Sequence, residues 1–137
     1  MTQPDQVRGA ENQSAQERLR KELLISGLYD WVPLVQVESV ITRADLAETL
    51  PAQQDLALQT IRSLVEDGLM EIGDLPNPGE KFRGWDLSID AAMARVYDRF
   101  VQHYDDPTLW EFTIWLGLTE TGTRLARKLE DKTATAE

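Results

Sequence analysis

The apolar residues on either side of Gly68 follow two different periods. Upstream, Leu56, Leu58, Ile61, Leu64 and Val65 recur at helical spacing in a segment that starts near Pro51. Downstream, Met70 and Ile72 alternate with Glu71 and Gly73, which is the spacing of a strand. A glycine at the changeover suits the left-handed residue that closes a helix. The chain must therefore leave a helix and enter a strand within a few residues, so a mixed α+β fold is expected, with Ile61, Leu64 and Val65 in the core. Leu75-Pro-Asn-Pro-Gly79 then forces a turn, and a second strand is expected at Lys81 to Trp85.

The remaining elements follow from similar signals. Ser14 and Glu17 have capping-box spacing, and Leu19, Leu23 and Leu24 predict a first helix over about 15–26, ended by Gly27. Tyr29, Asp30 and Trp31 read as a corner. Pro33 suits the first turn of a second helix, whose stripe is Leu34, Val37, Val40 and Ile41. Ser88 caps a fourth helix with a wide stripe from Ala92 through Tyr97 to Tyr104, ended by Asp105-Asp106-Pro107. Trp110, Phe112, Ile114, Leu116 and Leu118 alternate as a strand over 110–118, which sets Glu111, Thr113 and Trp115 on its other face. Thr119 caps a closing helix, which Gly122 lets pack closely on its neighbour. Residues 1–13 and 131–137 carry too few apolar side chains to offset the entropy of ordering and read as tails around one domain over 14–130.

Two segments carry a resemblance. Ile61-Arg-Ser-Leu-Val-Glu-Asp-Gly-Leu-Met-Glu-Ile72 resembles the exit of a winged-helix third helix into the first wing strand. Leu116-Gly-Leu-Thr-Glu-Thr-Gly-Thr-Arg-Leu-Ala126 resembles the junction of the second wing strand with a closing helix in bacterial regulators of that fold. Gly27-Leu-Tyr-Asp-Trp-Val32, Gly84-Trp85-Asp86, Tyr104-Asp105-Asp106 and Trp115-Leu-Gly-Leu-Thr119 also resemble a group of small actinobacterial proteins with no assigned activity. The resemblance implies a winged-helix-like α+β domain, mostly helical, with a small antiparallel sheet. The segment from Leu87 to Pro107 departs from that pattern: it places an extra helix inside the wing.

Composition narrows the function. The chain has 137 residues, no cysteine, one histidine (His103) and a formal net charge of −10. Disulfides and zinc sites of the Cys/His type are excluded by arithmetic, and no cofactor, metal or catalytic constellation is expected. No apolar run is long enough for a membrane span, and Met1 to Gln13 lacks the pattern of a secretion signal, so a cytoplasmic protein is expected. The negative charge favours a basic protein partner over nucleic acid. The residues expected to meet it are Asp98, Asp105, Asp106, Glu111 and Trp115, an acidic half around an aromatic anchor of the kind that inhibitors of basic toxins, immunity proteins and antitoxins use. The alternative is a winged-helix transcription regulator, dimerising through its first and last helices and touching DNA with Gln53, Gln54, Arg62, Lys81 and Arg83. The third helix also carries Asp55, Glu66 and Asp67, which disfavours DNA.

Overall fold

A computed structural model describes the backbone of residues 4–135 and the side chains of residues 13–133. Five α-helices surround a three-stranded antiparallel sheet of order β1-β3-β2. In chain order they are α1 (Pro4–Gly27), β1 (Val32–Pro33), α2 (Leu34–Arg43), α3 (Leu50–Glu66), β2 (Met70–Gly73), α4 (Ile89–Tyr97), β3 (Trp115–Leu118) and α5 (Glu120–Thr135). This is an α+β protein of winged-helix-like layout, with α4 lying between the two long strands.

Local chemistry sets the helix starts. The Thr49 hydroxyl accepts from the Ala52 amide at 3.3 Å to start α3, and Ser88 does the same from Ala91 at 3.1 Å to start α4. Thr119 accepts from the Gly122 amide at 3.0 Å to open α5. Gly68 has φ of +71°, the left-handed residue expected between α3 and β2. Asp67 and Gly68 donate to Ser63 and Val65, and Leu69 donates to Leu64, which closes the last turn of α3.

The strands are shorter than their alternation predicts. β1 leaves no mark in the sequence, because two residues carry no period; Val32 and Pro33 are strand only through pairing with Leu116 and Trp115. Pro33 is therefore the residue before α2 and not part of its first turn. The expected strand at 81–85 reduces to one bridge between Gly73 and Gly84, because this segment climbs onto the sheet instead of extending it. The expected strand at 110–118 begins only at Trp115. Pro107–Leu109 form a 3₁₀ turn, Glu111 donates back to the Pro107 carbonyl, and Phe112 is 63% exposed, so alternation across 110–113 reflects turns and not a pleat. Glu111 and Thr113 consequently do not share a strand face with Trp115.

The helices at both ends are longer than expected. α1 starts at Pro4, a residue preorganised for a first turn, and runs through the polar stretch read as a tail. Gln, Glu, Arg and Ala propagate readily from a helix already anchored by Leu19, Leu23 and Leu24. α5 likewise continues to Thr135. Residues 1–3 and 136–137 of the expected tails lie outside the described residues. Among the described residues, no helix is long and apolar enough to cross a membrane.

The inner sheet face, made by Val32, Ile72 and Leu116, packs with Leu23, Val37, Ile41, Ile61, Leu64, Ile114 and Ala126 into one core that α4 extends with Met93, Val96 and Phe100. α5 approaches the start of β2 so closely that a Cβ on Gly122 would lie 1.9 Å from the Leu69 carbonyl oxygen. Gly68, by contrast, has open space around its missing side chain and only an unfavourable φ. Gly122→Ala should therefore cost about 3 kcal/mol through forced separation of α5 from β2, and Gly68→Ala about 1 kcal/mol through backbone strain alone. Chemical denaturation of both variants checks this order; an unchanged midpoint for Gly122→Ala would contradict the close approach.

Candidate functional site

The outer face of α3 is the surface with which a winged helix would read a base sequence, and here α4 packs along one flank of it, leaving Ala52, Asp55, Gln59 and Glu66 exposed. Gln54 is 8% exposed, and its amide nitrogen donates to the Phe100 carbonyl at 3.1 Å. That carbonyl sits in a π-helical turn, Asp98–Gln102, which continues α4. Gln53 is half-buried and donates to the Ala47 carbonyl at 3.2 Å. Arg62 is held by Asp90 at 2.9 Å and Glu66 at 3.3 Å, and these two hydrogen bonds, Asp90 first, raise its pKa further. Of the residues expected to touch DNA, Lys81 and Arg83 alone are exposed without an ion pair among the described residues, and they lie on the loop over the sheet. Two such charges are few against the roughly six to ten phosphate contacts of a typical binder.

The acidic residues of the second half divide. Asp105 and Glu111 come together around Tyr104, whose hydroxyl donates to Glu38 at 2.8 Å. Glu38, on α2, was not among the expected site residues, and nothing in its sequence neighbourhood marks it. The arrangement is built on aromatic packing: Tyr104 stacks on Trp110 with centroids 5.1 Å apart and planes at 14°, and both meet Phe100 edge-on. The buried Trp110 indole donates to the Tyr104 carbonyl at 3.0 Å, and the Val35 amide donates to the Glu111 carbonyl at 3.3 Å, which ties the segment to α2. Asp98 stands apart beside His103, 3.6 Å from its Nδ1, and Asp106 accepts from the Thr108 hydroxyl. Among the described residues no ion pair reaches Glu38, Asp105, Asp106 or Glu111.

Trp115 is on the outer face of the sheet, half-buried, in register with Pro33 and Gly73. Its indole donates to the Phe112 carbonyl at 2.8 Å, and the two rings are 6.1 Å apart. The same face holds Phe82, which fills the space left by the missing side chain of Gly117 and lies 6.2 Å from Trp31. At its margin Trp85 donates to Asp74 at 3.0 Å and lies under the guanidinium groups of Arg95 and Arg99, at 4.6 and 5.4 Å. Trp115 is thus neither a member of the buried core nor free of neighbours.

Comparison with protein-family models, with curated proteins and with solved structures gives no match. Among the described residues no group of three or more His, Cys, Asp or Glu could hold a metal ion. The site chemistry on view is charge and aromatic surface.

Burial first, then the Glu38 hydrogen bond and the charges of Glu38, Glu111 and Asp105, push the Tyr104 hydroxyl from 10.0 up to about 12. Because the folded value is the higher one, the stability that Tyr104 contributes is intact below pH 10 and is lost as pH rises towards about 12. Denaturation midpoints measured across that window should fall for the wild type and fall less for Tyr104→Phe. Equal slopes would contradict the raised value.

Proposed function

We propose that this protein is a non-catalytic binding module for a basic protein in the cytoplasm, in the manner of an immunity protein or antitoxin. The observation that carries the reading is the carboxylate surface of Glu38, Asp105 and Glu111 around Tyr104, which no ion pair reaches among the described residues. Like charges held together, here with Asp105 exposed and Glu38 and Glu111 half-buried, are unfavourable and are relieved by a partner of opposite sign. Asp98 and Asp106 add to the negative field on the same half of the chain. Trp115 and the 63%-exposed Phe112 supply apolar area for an interface centre, with Trp115 preorganised by its bond to the Phe112 carbonyl.

The DNA-binding alternative draws less support. Gln54 is buried, Gln53 and Arg62 are engaged within the chain, and the net charge of −10 opposes approach to a phosphate backbone. A regulator dimerising through its end helices would use surfaces of α1 and α5 beyond the face on which they already pack together.

Tagged full-length protein, incubated with lysate of the native host and analysed by mass spectrometry, should retain a basic protein that salt releases. With that partner purified, Asp105→Asn with Glu111→Gln should slow association by roughly threefold or more and flatten its salt dependence. Trp115→Ala should instead speed dissociation, at a cost of about 2 kcal/mol. A nanomolar, sequence-specific duplex complex at physiological salt that is lost on Lys81→Ala or Arg83→Ala would overturn the reading.

A further inference from the structure

Where α4 crosses α3 the two helices do not close completely. An open groove of about 360 Å³ remains, floored by Leu58, Met93, Ala94 and Tyr97 and bordered by Gln59, Arg62 and Asp90. Met93 is buried, but Ala94 is exposed and the Tyr97 ring is 46% exposed, although the fourth helix's apolar stripe would place it inwards. The volume is that of a slot for one large apolar side chain or a small ligand.

The rim decides which. Arg62 is the only cation among the lining residues, and Asp90 and Glu66 already share it. The Asp90 side chain is 88% exposed. Asp55, hydrogen-bonded to Gln59, extends the acidic rim along α3. The nearby arginines of α4 do not compensate, since Arg95 and Arg99 are drawn to the Trp85 ring. An apolar floor between two acidic helix flanks complements a helix with an apolar stripe and basic sides.

We propose that the groove between α3 and α4 docks a basic amphipathic segment of a partner protein, one apolar side chain entering against Leu58, Met93, Ala94 and Tyr97 while flanking Lys or Arg residues meet Asp90, Glu66 and Asp55. The proposal rests on the reading of the chain as a binder of basic proteins and assigns it a second contact surface. In this arrangement the insertion that packs beside α3 creates a recognition surface made jointly by both helices.

The test is a titration of isotope-labelled full-length protein with a helical amphipathic peptide of leucine and lysine, followed by NMR. A peptide of the same pattern with glutamate for lysine serves as control. The largest shifts should fall on Leu58, Met93, Ala94 and Tyr97. Ala94→Arg, which places a charge in the slot from an exposed position, should weaken binding at least about tenfold, and Tyr97→Ala should weaken it as well. Asp90→Asn combined with Glu66→Gln should weaken it about threefold and lessen the salt dependence. Shifts confined to Glu38, Asp105 and Glu111 would overturn the groove while leaving the basic-partner reading intact. Equal binding of the glutamate peptide, no groove shifts with either peptide, or groove shifts that grow with protein concentration before any peptide is added would also overturn it, the last assigning the groove to a second copy of this chain.

Discussion

The backbone of Leu69 is where the two halves of the fold are joined. Its carbonyl accepts from the Thr119 amide at 3.1 Å and lies against Gly122, while the Thr119 hydroxyl donates to the Gly68 carbonyl at 2.6 Å and accepts from Gly122. The exit of α3 and the entry of α5 therefore share one small set of hydrogen bonds, between segments far apart in sequence. With Met70 paired to Leu118 just beyond, the register of β2 on β3 follows directly from this junction. Any side chain at position 122 would separate the strands' ends from the helix that covers them.

Once β2 and β3 are joined in this way, residues 74–114 must leave the sheet and return to it. The outgoing part crosses the outer sheet face, where Gly73 and Gly117 give Phe82 room to lie flat. The returning part places α4 on α3 and ends in the aromatic stack of Phe100, Tyr104 and Trp110. The π-helical turn between them leaves the Phe100 carbonyl facing α3, where Gln54 satisfies it. The same excursion thus covers the Gln54 flank of α3, presents the acidic surface around Tyr104, and forms the groove between the two helices.

Much of this was legible in the sequence where the signal is local. The change of period at Gly68, the caps at Ser88 and Thr119, and the close packing at Gly122 each depend on a residue type suited to one backbone geometry, and each is present. The expectations that differ depend on distant partners. Val32 and Pro33 form a strand only because Leu116 and Trp115 lie beside them. Trp110 and Phe112 alternate like strand residues, but stacking on Tyr104 and the turn at Pro107 set their placement. Gln54 looks like an outward polar residue because its acceptor is 46 positions away, and Glu38 joins the acidic surface through a tyrosine 66 positions away. Periodicity carries no information about such pairs.

The central physical claim is that α4 and its π-helical turn cover the flank of α3 that carries Gln54. Gln54 reports on it most directly, since a glutamine that fills a buried hydrogen bond and one that waits on a surface respond differently to an apolar replacement of similar size. The measurement is the chemical denaturation of Gln54→Leu. A covered flank predicts a loss of about 1–3 kcal/mol, because the Phe100 carbonyl is left buried without a donor. A change within about 0.5 kcal/mol, the usual response of an exposed position, would contradict it.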